Sequence, residues 1–394
     1  MAELAATPNL RLHALDKLGI LIAALAAFAA FSPYAAFRAN RIVPGEGKAI
    51  FAALPPLEAG LLTAVLIAAI AIALFRTPTL LRLLTSLAVL AVLFVTIGRA
   101  ASFLTPAGDR LARVSPGGGF WLLLFAFALL AADAFARLRF APWLRIGILL
   151  VLAAGVALLL MSGAWNDLSI LKEYANRADA FWREAETHVA LALGSLTVAT
   201  IAGIPIGILC HRTSNLRATV LNLLNAIQTI PSIALFGLLI APLAWVAANV
   251  PGASAIGISG IGAAPAMVAL FAYSLLPVVA NTVVGLENVP PAANDAAKGM
   301  GMTDWQRLAG VEFPLAFPVI LTGVRIVLVQ NIGLATIAAL IGGGGFGVFV
   351  FQGVGQTAMD LVLLGAVPPV VLAFAAAVIL DAIVEMVSTR GASA

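Results

Sequence analysis

Residues 295–314 read DAAKGMGMTDWQRLAGVEFP, the longest charge-bearing stretch in the second half of a chain that is otherwise nearly continuous apolar sequence. Asp295, Lys298, Asp304, Arg307 and Glu312 stand between apolar runs at 263–285 and 317–339. Each run has about the ~20 residues that an α-helix needs to cross a bilayer core, so the polar stretch between them projects out of the membrane. Its local signals describe a helical hairpin. Pro290 and Pro291 suit a helix start, 292–300 carries strong helix formers, and Gly301 can take the left-handed conformation that ends a helix. Thr303 and Gln306 form a capping box that opens a second helix, on which Trp305, Leu308 and Ala309 share a face. Pro314 and Pro318 close the segment and start the next span. A tryptophan beside charged groups on such a hairpin makes a docking surface; the bland alternative is a loop folded onto its own protein.

The rest of the composition agrees. The 394 residues are 62% hydrophobic and 10% charged, with a mean hydropathy of +1.08, against about 25% charged in ordinary soluble domains. The fold class expected is an all-α polytopic membrane protein with about ten transmembrane helices, near 18–37, 57–75, 80–98, 119–136, 146–164, 187–209, 218–241, 263–285, 317–339 and 361–387. No ten-residue alternation of the β-barrel kind occurs. The first run is too long for a signal h-region and lacks a convincing cleavage site, so it is read as retained. Cys210, the single cysteine, excludes an internal disulfide and cysteine-based metal sites; no metal site and no cofactor are expected. The pI of 9.6 does not point to nucleic acid, because the basic residues are scattered over membrane-flanking loops rather than gathered in a patch. In the short connections, Arg76, Arg82, Arg137, Arg139, Arg145, Arg212 and Arg217 have no acidic loop neighbours. That places both termini and the hairpin on the cytoplasmic side.

Residues 166–186 are amphipathic, with Leu171, Tyr174, Ala178, Trp182 and Ala185 recurring at helical spacing. They read as an interfacial helix on the outer, periplasmic side between an N-terminal extension at 1–165, with about five spans, and a second five-span block at 187–387. The hairpin at 286–316 lies in this second block, and a C-terminal tail at 388–394 follows it. The first block holds little polar chemistry beyond Asp133, which Arg137 can pair one turn on. The second carries prolines and neutral polar residues at membrane depth, among them Asn225, Gln228, Thr229, Ser232, Tyr273, Asn281, Gln330 and Asn331. Each must find a partner in a helix interface or a wet cavity. Arg325, about two turns inside its span, either snorkels to the headgroups or pairs with Asp381 or Glu385. The glycine run 342–345 is a backbone-permissive break, either a plain flexible turn or part of an external gate.

The run DAAKGMG from Asp295 to Gly301, followed by Phe313 and Pro314, resembles the cytoplasmic coupling motif of ABC-importer permease subunits, in which Glu is usual at the position of Asp295 and Leu at that of Phe313. QTIPSIALFG from Gln228, GIGAAPAMVALFAYSLLPVVANTVVGL, KGMGMTDWQRL and ALIGGGGFG are similar to the glycine betaine, choline and proline branch of these permeases, the subset with an N-terminal membrane extension. The likeness covers about 187–387, and Ala280 stands where an Arg is more frequent.

The resemblance implies a five-helix type I permease domain in a bacterial inner membrane. It also implies an osmoprotectant importer in which Asp295, Ala296, Ala297, Gly301, Thr303, Trp305 and Pro314 couple to a cytoplasmic ATPase dimer. A second permease subunit, of the same or a different chain, and a periplasmic or lipid-anchored binding protein complete the assembly. No G-x-x-x-x-G-K-[ST] loop occurs, so the chain is read as no enzyme, with ATP hydrolysis on a separate subunit. A translocation path is expected along Gln228, Thr229, Tyr273, Asn281 and Asn331, with no catalytic residue. Two alternatives are an importer for another small polar nutrient and a secondary transporter or channel acting alone. The latter predicts intramembrane ionisable residues and leaves the hairpin without a role.

Overall fold

A computed structural model describes residues 15–40, 43–106, 108–109 and 111–392, with side chains through Ser388. The N-terminal residues 1–14 and the last two residues of the expected tail at 388–394 lie outside the described residues. The chain divides into two compact units, Met1–Ala141 with Leu152–Lys172, and Pro142–Val151 with Glu173–Ala394. Among the described residues, nine helices are long and apolar enough to cross a membrane.

The first unit begins with α1 (Lys17–Phe31), whose N-terminus is capped by Asp16 accepting from the Gly19 N–H at 2.9 Å. The expected span 18–37 is shorter than its sequence suggests, because the chain leaves the helix at Ser32 and enters a strand. Strands β1 (Ala35–Arg38) and β2 (Glu46–Lys48) pair antiparallel, and a third strand, β3 (Arg113–Pro116), pairs on the other side of β1, giving the order β2-β1-β3. This small sheet adds to an otherwise helical architecture. Its strands are three or four residues long, too short to leave a period-two signal.

A short helix, α2 (Ile50–Ala53), precedes the spans α3 (Pro56–Leu74), α4 (Thr79–Leu104), α5 (Gly118–Leu138) and α6 (Pro142–Met161). Helix α6 has no buried side chain along its length, and Pro142–Val151 belongs to the second unit. One continuous apolar cluster unites α1, α3, α4 and α5, with Ile22, Leu62, Leu93, Leu123, Phe127 and Leu130 fully buried in it. Polar ties are few. Tyr34, just before β1, places its hydroxyl 2.7 Å from that of Thr96, and Arg82 reaches Asp16 at 3.1 Å and the Ala73 carbonyl at 2.7 Å. Asp133 and Arg137 make the expected i,i+4 pair at 2.9 Å.

After α7 (Ser169–Ala175), the chain continues in the second unit as α8 (Ala178–Arg212), 35 residues long. The amphipathic stretch 166–186 is therefore not one interfacial helix. It breaks before Ala178, and its second half is the first turns of a span. The reason is packing, since the Phe181 ring lies 5.2 Å from Phe346 and 6.3 Å from Phe349, which draws this segment into the unit. The expected span 218–241 is also divided, into α9 (Ser214–Thr229), α10 (Ser232–Leu238) and α11 (Ile240–Asn249), and Ser232–Asn249 is the part apolar enough to cross. Pro231 has no N–H to continue the ladder and leaves Ile230 extended.

Next come α12 (Ala263–Glu287), α13 (Pro291–Gly299), α14 (Asp304–Arg307), α15 (Phe313–Ala335), α16 (Gly347–Gly355) and α17 (Met359–Ala392). Helix α17 runs into the stretch read as a tail. Helices α8, α12 and α15 approach closely at glycines. A Cβ on Gly207 would fall 2.5 Å from the Thr282 Cβ, and one on Gly323 would fall 2.8 Å from the Pro277 carbonyl oxygen. Gly203 and Gly207 make the small-x-x-x-small spacing that lets helices pack tightly in a bilayer.

Candidate functional site

The hairpin is built from local signals and then anchored by distant ones. Pro290 is the N-cap residue of α13, and Gly301 takes φ +80, the conformation that turns the chain out of the helix. Beyond it the capping box is complete: the Gln306 N–H donates to the Thr303 hydroxyl at 3.3 Å, and the Thr303 N–H donates to the Gln306 side chain at 2.9 Å. The second arm is not the separate short helix that the sequence suggests. A π-helical turn at Leu308–Glu312 joins α14 to α15 without a break, and Pro314, the second residue of α15, comes just after that turn. The arm is thus the end of a spanning rod.

The residues expected to couple fall on two sides of this element. Asp295, Ala296, Gly301, Thr303, Trp305 and Pro314 are exposed, while Ala297 is buried. Trp305 and Met300 are 72% and 71% exposed on either side of Gly301, large apolar groups with nothing over them. Leu308, expected to share the Trp305 face, instead turns inward to a cluster with Leu286, Val289, Ala316 and Ile320. Asp295 lies 3.8 Å from Lys298, an exposed pair of small energetic consequence.

Beneath the tip, the charges form a chain. Arg307 donates to Asp304 at 2.9 Å and to Glu312 at 2.9 Å, and the second Glu312 oxygen accepts from Arg212 of α8 at 2.7 Å. Arg307 and Glu312 are both buried, so each ion needs the other. Sequence reasoning singles out Arg307 and Glu312 as charges but not Arg212 as their partner. Nothing local relates residues a hundred apart.

The residues expected along a path do not form one line. Gln228 donates to the Tyr273 carbonyl at 2.9 Å, and the Tyr273 hydroxyl donates to the Ile230 carbonyl at 2.5 Å, supplying a partner at the break before Pro231. Thr229 is exposed and bonds within its own helix, and Asn281 donates to the Pro277 carbonyl at 2.8 Å. Asn331 is fully buried, with its amide on the hydroxyls of Ser195 and Ser274, each at 2.9 Å, in a knot joining α15, α8 and α12. Those two serines left no signal in the sequence. Arg325 pairs with Asp381, the second of its two sequence readings. Arg145 of α6 bridges Asp381 at 3.1 Å and Glu385 at 2.7 Å.

At the far end of α8 and α15 the glycine run is ordered by side chains. Gly342, Gly344 and Gly345 have φ of +76, +75 and +84, and the Gly345 N–H donates to the Glu184 carboxylate at 2.6 Å. His188, fully buried, places Nε2 3.0 Å from the Ile332 carbonyl.

Comparison with known proteins meets this geometry from two directions. Residues 16–171 match the family described as the ABC transporter permease YehY, N-terminal domain, and residues 203–391 match the binding-protein-dependent transport system inner membrane component. The osmoprotectant import permease protein OsmW of Salmonella typhimurium is 46% identical over 178 residues, 45% of this chain and 76% of that protein. The glycine betaine/carnitine/choline transport system permease protein OpuCB of Bacillus subtilis is 32% identical over 216 residues, 55% of this chain and 92% of that one. An inward-facing structure of the MetNI methionine ABC transporter aligns with 53% of this chain and 96% of its own, with 22% identity and a TM-score of 0.47. With its apolar spans and its polar hairpin, the chain belongs to the binding-protein-dependent ABC transporter permeases, multi-pass inner-membrane translocation components.

Proposed function

We propose that the chain is the membrane subunit of an ATP-driven importer for a compatible solute of the quaternary-ammonium kind, with glycine betaine or choline as representatives. The hairpin lies on the cytoplasmic side and seats in a groove of a separate ATPase subunit, two of which serve a pair of permease subunits. A periplasmic or lipid-anchored binding protein delivers the solute to the opposite face. The observation that carries this reading is the hairpin tip. Trp305 and Met300 stand exposed on either side of a left-handed Gly301, above a buried ion chain that holds the tip in place. An aromatic anchor on a rigid protrusion fits a partner's pocket. The similarity to OsmW and OpuCB supports the solute class. The path is lined by Gln228, Thr229 and Asn281, with Tyr273 and Asn331 holding the helices that carry them.

Co-purification tests the docking: a soluble ABC ATPase accompanies the tagged full chain and is lost with Gly301→Trp. Retention of the ATPase by Gly301→Trp overturns the hairpin assignment. Uptake of labelled glycine betaine and choline tests the solute class. If alanine at Gln228 or Asn281 leaves uptake and solute preference unchanged, the path assignment fails.

A further inference from the structure

Helices α8 and α15 run antiparallel and are bonded through side chains at three heights. At the hairpin end, Arg212 holds Glu312 at 2.7 Å, and Glu312 holds Arg307 at 2.9 Å. Ser195 lies seventeen residues back along α8, about 25 Å at 1.5 Å per residue, and its hydroxyl accepts from Asn331 at 2.9 Å. About 10 Å further, His188 meets the Ile332 carbonyl at 3.0 Å. One turn beyond, Glu184 accepts from Gly345 at 2.6 Å, within the concave backbone made by Gly344 and Gly345. Apolar helix faces can slide past one another, whereas these bonds are directional and fix the register of α8 against α15. Those at the two ends, made to charged groups, are the strongest class. The rod that begins at the hairpin runs through the π-helical turn, α15 with Pro318 inside it and a 3-10 turn at Ile337–Ile341 to the glycine loop. Glu312 locks the first of these joints to α8, and the bonds at Ser195 and His188 hold the rod to α8 beyond Pro318 and Pro205.

We propose that Arg212 and Glu312 are positioning residues for transport. They bind the hairpin to α8, so that a displacement applied at Trp305 moves α8 and α15 as one strut and reaches the glycine loop through Glu184. This rests on the hairpin being the ATPase-docking element. The strut gives a reason for a doubly bonded, buried carboxylate at the base of an exposed tip, and for the glycine loop being held by a side chain of α8 in addition to the backbone bonds of its own turn. Thr187 is the reporter, since a Cβ on Gly344 would lie 3.0 Å from its Cγ2.

The test uses the full chain with its co-purifying ATPase in lipid nanodiscs, carrying Thr187→Cys in a Cys210→Ser background. The maleimide labelling rate is read with and without ATP and vanadate. With Arg212 intact, nucleotide trapping changes the rate by roughly threefold or more. Arg212→Ala abolishes the change while the ATPase stays bound and hydrolyses ATP, and Arg212→Lys retains it. Glu184→Ala, far from the hairpin, removes the acceptor of the Gly345 N–H, abolishes the change as well and supplies the reading if Arg212→Ala fails to fold. Persistence of the full response in Arg212→Ala or Glu184→Ala overturns the strut. So does loss of the ATPase from Arg212→Ala, which would make Arg212 part of docking, and so does a reporter that ignores nucleotide when Arg212 is intact. Absence of any ATPase from the unsubstituted chain is a different failure and strikes the docking reading instead.

Discussion

The two units are made of equally apolar helices but are held together differently. In the first, α1, α3, α4 and α5 share one continuous apolar core, and buried or part-buried polar pairs such as Tyr34–Thr96 and Arg82–Asp16 join segments already packed by it. In the second, the apolar clusters are smaller and separate, and the helices between them are joined by polar knots, glycine contacts and proline breaks. A single close-packed core has one good arrangement. Small separate clusters let groups of helices move as bodies when an element switches state, and the directional bonds fix which helices move together. Static packing and polar linkage are thus divided between the units.

The comparison breaks most visibly at Phe127. Truncation by Phe127→Ala removes a ring from the centre of the first core and is expected to cost about 3–5 kcal/mol, seen as a large fall in the thermal unfolding midpoint of the purified chain. An equal loss from an exposed ring of that unit, such as Phe125, would show that the core is not where its stability resides. Next in size is Gly207→Leu, which drives a side chain into Thr282 and is expected to cost about 1–3 kcal/mol. Uptake should fall with stability there, because the α8–α12 contact is part of the transporting unit.

Asn331→Leu removes the knot's centre but leaves Ser195 and Ser274 bonded to their own helix carbonyls at 2.6 Å. The expected stability loss is only about 1 kcal/mol, with uptake falling several-fold further than stability does. A proportionate fall would make the knot plain packing. The smallest structural effect belongs to Trp305→Ala, within about 0.5 kcal/mol in stability, with a clear weakening of ATPase association in a pull-down. Unfolding data and association data should therefore move in opposite order between Phe127 and Trp305.

Much of this is legible from residue types. The length of the apolar runs locates nearly all the spans, and proline, glycine and the Thr303–Gln306 spacing describe the hairpin's corners, because each signal acts within one turn of helix. The misreadings have a common origin. Residues 166–186 look like a free amphipathic helix until Phe181 meets Phe346 and Phe349, and the second arm of the hairpin looks separate until the π-helical turn carries it into α15. Run 218–241 looks continuous because a single proline hardly lowers a hydropathy average, yet it ends a hydrogen-bond ladder. The path residues stand out as polar groups at membrane depth, and polarity there identifies what needs a partner without naming the partner.

The sequence by itself determined that the chain crosses a membrane many times, that a capped helical hairpin stands between two late spans, and that Gly301 is its elbow. These follow from hydrophobic run length and from backbone conformations that only certain residues permit. Tertiary structure alone decided that Glu312 answers to Arg212, Asn331 to Ser195 and Ser274, Arg325 to Asp381, and Gly345 to Glu184. These bonds join residues far apart in the chain, and each exists because buried charges and amides must be matched by whatever the packed helices bring within reach. The hairpin was written locally; what it is fastened to was not.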